Sequence, residues 1–158
     1  MPQIDEHLKW CLKDPKRLVK TKPDLAQNHI KKSEYNYGIV QTLERLKIYD
    51  WAFNVGFYAI YHCFLAILAK YGYSSRNQAC TVTVLLTLIN DKKLDFDKDL
   101  VTQFDTLDVE KNIANPTVRE SRELSTYGVE TSIDVQQLKN IKELTLKVQR
   151  EAIRVLGE

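Results

Sequence analysis

The chain has 158 residues, with 23 basic against 21 acidic side chains and a formal charge of +2. That balance excludes a strongly charged tail protein and gives no overall electrostatic case for nucleic acid. Apolar residues are 44% and charged ones 28%, which fits one globular domain with a proper core, and the five glycines and four prolines are about half the usual share of roughly 12%, which favours long helices.

A short amphipathic helix is expected from Ile4 to Lys13, stopped by Asp14 and Pro15. Charges run through the residues from Met1 to Asp14, so no apolar signal-peptide core is expected there. Lys16, Arg17, Lys20 and Lys22 then form a basic stretch, either a solvated linker or a phosphate-contacting patch. The expected division is a short helix and linker over 1–22 and a helical bundle over 23–158. Pro23-Asp24 opens a long helix running to about Leu46, with Ala26, Ile30, Ser33, Tyr37 and Val40 on one face. His29 on this helix and His7 on the first are expected to be half exposed.

Tyr49-Asp50 starts the central helix, with Asp50 as its N-cap, and Gly72 ends it in a left-handed conformation. Trp51 to Ala69 is 19 residues without a formal charge, near the length that spans a bilayer. Asn54, Gly56, Tyr58, Tyr61 and His62 lie inside it, and no second apolar span exists to satisfy them. A core helix buried on all sides is therefore expected, and no membrane. Leaving His62 unpaired there would cost about 1–3 kcal/mol. It needs a tyrosine hydroxyl, a backbone carbonyl or Asn54 as partner.

Ser74-Ser75 is the expected cap of the next helix. The run Ala79 to Ile89 begins by alternating like a strand, but Ala79, Val82, Leu86 and Ile89 also fit a helical face. A lone buried strand would leave its backbone unpaired, so a helix is expected. Asp95-Phe96-Asp97 begins another, with Phe96, Leu100, Phe104 and Leu107 in line. Asn115-Pro116 caps a helix reaching about Tyr127 and ended by Gly128. Ser132 caps the last, whose stripe is Leu138, Ile141, Leu144, Val148, Ala152 and Val155. The sum is an all-α, antiparallel up-and-down bundle of about four long helices plus short ones.

Cys11, Cys63 and Cys80 are odd in number and include no C-x-x-C, so no disulfide framework or four-ligand zinc site can be read. Cys63 and Cys80 are expected as small core residues, in a reducing cytoplasm. There is no H-E-x-x-H, no H-x-H and no glycine-rich phosphate loop, and neither a metal nor a cofactor is expected. Arg119 and Arg122 are neighbours on one helix face. Their planar forks suit phosphate, or they pair on the surface with Glu120 and Glu123.

Three motifs occur in order. The first is His29-Ile30-Lys31-Lys32-Ser33-Glu34 on an amphipathic helix. The second is Phe57-Tyr58-Ala59-Ile60-Tyr61-His62, followed by the turn and capped helix of Tyr71-Gly72-Tyr73-Ser74-Ser75-Arg76-Asn77. The third is the arginine-then-tyrosine element from Arg119 to Tyr127. Over roughly Asp24 to Leu156 the chain resembles the HEPN (higher eukaryotes and prokaryotes nucleotide-binding) superfamily, and most closely its small stand-alone prokaryotic members.

The resemblance implies an all-α bundle that forms a homodimer. Many members are metal-independent ribonucleases, several are toxins paired with a small nucleotidyltransferase antitoxin, and others are nonenzymatic binding or dimerisation modules. Active members carry R-x(4–6)-H, and two copies face each other across the dimer groove. On this resemblance Arg122 and Tyr127 hold the catalytic positions. Arg119, Arg122, Arg76 and Gln78 are candidates for nucleotide or RNA contact, and Tyr58, Tyr61 and His62 form a structural motif. Two departures bear on activity: Arg122 leads to Tyr127 instead of histidine, and Gln78 stands where relatives often have histidine. A tyrosine with a pKa near 10 is a poor base at neutral pH, and losing a general base typically costs on the order of 10²–10⁴ in rate.

The expected function is therefore a nucleotide- or RNA-binding module, or a nucleotidyltransferase partner, without strong catalysis. The alternatives are a metal-independent ribonuclease toxin and a purely structural or dimerisation bundle. The surplus apolar faces of the central helix point to a two-fold dimer, with Arg119, Arg122 and Tyr127 looking onto a shared furrow.

Overall fold

The computed structural model describes residues 2–21, 25–105, 117–127 and 133–158. Pro23-Asp24, Leu107, Asn115-Pro116, Gly128 and Ser132 lie outside these residues. Seven helices and one two-stranded sheet occur among the described residues. In chain order they are α1 (Pro2–Leu12), β1 (Leu18–Lys20), α2 (Ala26–Arg45), α3 (Tyr49–Lys70), β2 (Tyr73–Ser75), α4 (Gln78–Asn90), α5 (Lys98–Phe104), α6 (Val118–Tyr127) and α7 (Val135–Leu156). The fold is an all-α bundle apart from the small sheet.

The central element is α3. Its buried residues include Phe53, Phe57, Ile60, Cys63, Phe64, Ile67 and Leu68, which together occupy most of its circumference. Helices α2, α4, α6 and α7 and strand β2 all pack against it. Leu85 of α4, Phe104 of α5 and Leu138 and Ile141 of α7 complete the fully buried core. Each such side chain contributes roughly 1.5–3 kcal/mol of burial free energy. The helix is long and apolar enough to cross a membrane, yet 67% of its most apolar window is buried inside the fold.

Specific contacts set the helix directions. Ser33 meets Ala59 and His29 meets His62, so α2 runs against α3. Gln149 reaches Ser33 and Lys142 reaches Glu44, so α2 also runs against α7. Gly56 faces Ile141, and Lys70 Nζ donates to the Val155 carbonyl, so α3 and α7 run the same way.

The residues from Ala79 to Ile89 are helical, as the absence of a partner for so long a strand required. The expected α7 stripe is buried throughout. Gly72 has φ +86° just past α3, a conformation that a residue without Cβ adopts freely.

Several expectations need correction. Ser74 and Ser75 do not cap α4; they lie in β2, which pairs antiparallel with β1 from the basic stretch (Leu18 opposite Ser75, Lys20 opposite Tyr73). Asn77 caps α4 instead, accepting the Cys80 amide at 3.0 Å. Asp50 lies within the first turn of α3, where its charge complements the helix dipole, and Ile48 holds the cap position. Asp134 caps α7 in a reciprocal capping box with Gln137. Cys80 is not an isolated core thiol. It forms a disulfide with Cys11, with Cα atoms 5.8 Å apart, and joins α1 to the first turn of α4. Cys63 is the buried free cysteine.

The α3–α7 approach is close because Gly56 has no side chain. A Cβ there would lie 3.1 Å from Ile141 Cδ1, whereas a Cβ at Gly38 on α2 meets nothing within 4 Å. Gly56→Leu should therefore lose about 1–3 kcal/mol in urea unfolding through overpacking. Gly38→Ala should gain about 0.5–1 kcal/mol from helix propensity.

Candidate functional site

The late arginines stand on α6. Thr117 starts this helix, its hydroxyl oxygen accepting the Glu120 amide at 3.2 Å. With the helix so placed, Arg119 and Arg122 fall on neighbouring positions of one face, but their environments differ. Arg119 Nε lies 2.8 Å from Oδ1 of Asp105, a buried carboxylate at the end of α5, and another of its nitrogens donates to Glu123 at 2.9 Å. At that distance charge and hydrogen bonding both hold the pair. Burial alone would lower the Arg119 pKa, but the Asp105 and Glu123 carboxylates outweigh it and raise it above its ordinary value.

Arg122 turns inward. It is only 8% exposed. Its guanidinium carbon lies 4.4 Å from the centre of the Phe57 ring and 5.8 Å from that of Tyr58. Its Nε is buried and has no hydrogen-bond partner among the described residues. A desolvated cation over an aromatic ring is worth about 2 kcal/mol, but a ring face accepts no strong hydrogen bond. The guanidinium is thus oriented by Phe57, and its Nε is left without a hydrogen-bond partner among the described residues.

The aromatic seat continues into the core. Phe57 stacks on Phe104 with centroids 4.7 Å apart and lies nearly parallel to Tyr61 at 6.2 Å. Tyr58 meets Phe57 edge-on at 5.1 Å and keeps part of its ring exposed. The Tyr61 hydroxyl is 3.1 Å from Thr81 Oγ1, which donates to Ser75 Oγ at 2.8 Å. Burial raises the Tyr61 pKa, tempered by these hydroxyl contacts. Tyr58 and Tyr61 therefore join Arg122 to one cluster through Phe57.

Other candidates stand apart. Gln78 is the half-buried first residue of α4 and Arg76 is exposed just before it. Among the described residues, no hydrogen bond, ion pair or ring contact joins either one to Arg119 or Arg122. Tyr127 is the last residue of α6, five positions from Arg122 and so about 140° around the helix. Its side chain lies outside the described residues.

His62 takes a different partner from those expected. Its Nδ1 is 3.0 Å from Nδ1 of His29, on the helix packed beside it. One ring must donate and the other accept, so the two cannot both be protonated while this contact holds. Burial, then the charges of His29 and Lys32, push the His62 pKa down to about 4, and burial lowers that of His29. A turn away, Ser33 donates to the Ala59 carbonyl at 2.6 Å, accepts from Gln149 at 3.0 Å and lies 3.1 Å from Cys63 Sγ. Burial pushes the Cys63 thiol up to about 12, so this sulfur is a neutral donor to Ser33 and no nucleophile.

Chemically, a guanidinium pairs with anions or stacks on planar groups, and Arg122 does the second with Phe57. The groups it touches, Phe57 and Tyr58, include neither an imidazole nor a carboxylate. Phe57 as the ring beneath Arg122, Asp105 as the anchor of Arg119 and His29 as the partner of His62 were not foreseen from the sequence, because in each case the partner is distant in the chain.

The histidine pair makes stability depend on pH with a definite sign. A native pKa of about 4 against 6.5 in the unfolded chain means that the unfolded state binds protons first as pH falls. The contribution is full above 6.5, declines below it and levels off near 4. Urea midpoints measured at steps across that window should fall for the wild type and fall less for the double variant His29→Gln with His62→Gln.

No family model matches this chain, and no curated protein matches it.

Proposed function

We propose that this chain is a HEPN-type module that binds a nucleotide or RNA, or partners a small nucleotidyltransferase, with its Arg122 seat as the phosphate contact and without strong catalysis. The observation that carries the reading is the Arg122 guanidinium: buried, laid against Phe57, with a buried Nε that has no hydrogen-bond partner among the described residues. A phosphate oxygen is the partner a planar guanidinium takes best. Arg119, held by Asp105 and Glu123, positions α6. Exposed Arg76 would meet a phosphate further along a bound strand, Gln78 would offer a hydrogen bond and the partly exposed Tyr58 a ring for stacking, while Tyr127 enters this proposal by its place in the sequence. A cytoplasmic homodimer, with two such seats across a two-fold axis, belongs to the same proposal. Weak catalysis follows from the tyrosine at position 127, since a phenol does not take up a proton from a ribose hydroxyl at neutral pH.

The competing reading is a structural bundle in which Arg122 serves packing alone. Replacement by methionine separates the two. The Phe57 ring recovers only part of what it costs to take this guanidinium out of water, so Arg122→Met should keep or raise stability in the empty protein. A thermal melt with adenosine or guanosine phosphates or a short single-stranded RNA should stabilise the wild type, by about 2.7 kcal/mol at 100 times the Kd. Arg122→Met should abolish that shift. No shift with any of these ligands, or a loss of more than about 3 kcal/mol in Arg122→Met without ligand, would assign Arg122 to structure instead.

A further inference from the structure

A second cluster of chemically capable side chains lies at the α1–α4 corner. His7 and Cys11 are four residues apart on α1 and so share one face. Cys80 stands in the first turn of α4, whose N-terminus lies against them. The His7 Nδ1 is 3.8 Å from Cys11 Sγ, and the ligand atoms of His7, Cys11 and Cys80 all lie within 4.8 Å of one another. Both cysteines are fully buried, and His7 is half-buried, stacked on the exposed Trp10 at 5.3 Å.

The disulfide accounts for the meeting of the two sulfurs but not for the imidazole nitrogen beside them. Thr83 Oγ1 lies 2.6 Å from His7 Nδ1 and 2.9 Å from the Ala79 carbonyl. The Thr83 hydroxyl proton therefore has a second acceptor, and Nδ1 can be released without stranding it. The position of Cys80 in the first turn of α4 favours a thiolate over a thiol. Two thiolates and an imidazole at this spacing form a soft donor set, the kind that selects zinc over calcium or magnesium.

We propose that the reduced chain binds one zinc-class divalent ion through Cys11 Sγ, Cys80 Sγ and His7 Nδ1, with water in the fourth position. The step balances. Two cellular thiols, or one dithiol, deliver two electrons and two protons to the S–S bond and leave as a disulfide, and the chain keeps two thiols. The ion then displaces one proton from each thiol and takes the lone pair of Nδ1. Four-coordinate geometry with metal–sulfur bonds near 2.3 Å sets the two sulfurs about 3.8 Å apart and nitrogen and sulfur about 3.6 Å apart. The observed 3.8 Å between His7 and Cys11 is already close to that. Entry is from the His7 side, the exposed edge of the cluster. The disulfide and the metal-bound dithiolate are then two ways of fastening α1 to α4, chosen by the redox state.

The test uses the full chain, reduced with dithiothreitol, freed of it by anaerobic gel filtration and titrated with Co²⁺ as the spectroscopic probe. The expected result is one Co²⁺ per chain, with thiolate-to-cobalt charge-transfer bands and tetrahedral d–d bands. The oxidised chain should show none of these. His7→Ala should weaken binding at least about tenfold, the cost of losing even an outer partner, and Cys63→Ser should leave the bands unchanged. No thiolate–cobalt bands in the reduced wild type would overturn the proposal. So would bands that persist in Cys80→Ser, or undiminished affinity in His7→Ala.

Discussion

Helix α3 is buried around most of its circumference, and the rest of the molecule is arranged to satisfy that. Two neighbours do not enclose such a helix, so α2, α4, α6 and α7 all contribute a face. Enclosure also removes water from much of its polar surface, and several of those groups are met by another element. The Ala59 carbonyl is met by Ser33, His62 by His29, the Tyr61 hydroxyl by Thr81 and the Lys70 ammonium by carbonyls near the end of α7. These links set register where apolar packing alone would tolerate sliding. Ser33 is the clearest instance, since one hydroxyl joins α2, α3 and α7.

The same enclosure gives α6 its unusual interior. Of two arginines on adjoining positions, one is anchored by carboxylates and the other is pressed onto the Phe57 ring. An ordinary packing solution would put an aliphatic side chain over Phe57, because removing a guanidinium from water is costly and a ring recovers only part of that cost. A buried guanidinium whose Nε has no hydrogen-bond partner among the described residues adds little to stability by its charge. Arg119 fixes the pitch of α6 against Asp105, and that in turn keeps Arg122 over Phe57.

Legibility followed the range of the interaction. The α7 stripe from Leu138 to Val155, the α2 face through Ile30 and Val40, and the helical state of Ala79 to Ile89 all follow from periodicity, which is local. Caps were less legible, because serine, asparagine and aspartate lie close together at several helix starts and the tertiary path decides among them. Ser74 and Ser75 were drawn into β2 by pairing with β1, leaving the cap to Asn77. The Cys11–Cys80 bond spans 69 residues and leaves no mark in spacing. At the site, the adjacency of Arg119 and Arg122 was legible as a three-residue step. Which of them turned inward was not, because that depends on Asp105 and Phe57 arriving from other helices.

The account rests on Arg122 being a seated cation ready for an anion, and side-chain nitrogen-15 spectroscopy of its Nε–H tests this most directly, with the signal assigned by its loss in Arg122→Met. The account predicts a resonance displaced upfield by the Phe57 ring, slow to exchange with water, that moves as a nucleoside monophosphate is added while the Arg119 signal stays nearly still. A resonance at the ordinary arginine position, exchanging freely and indifferent to saturating nucleotide, would contradict it.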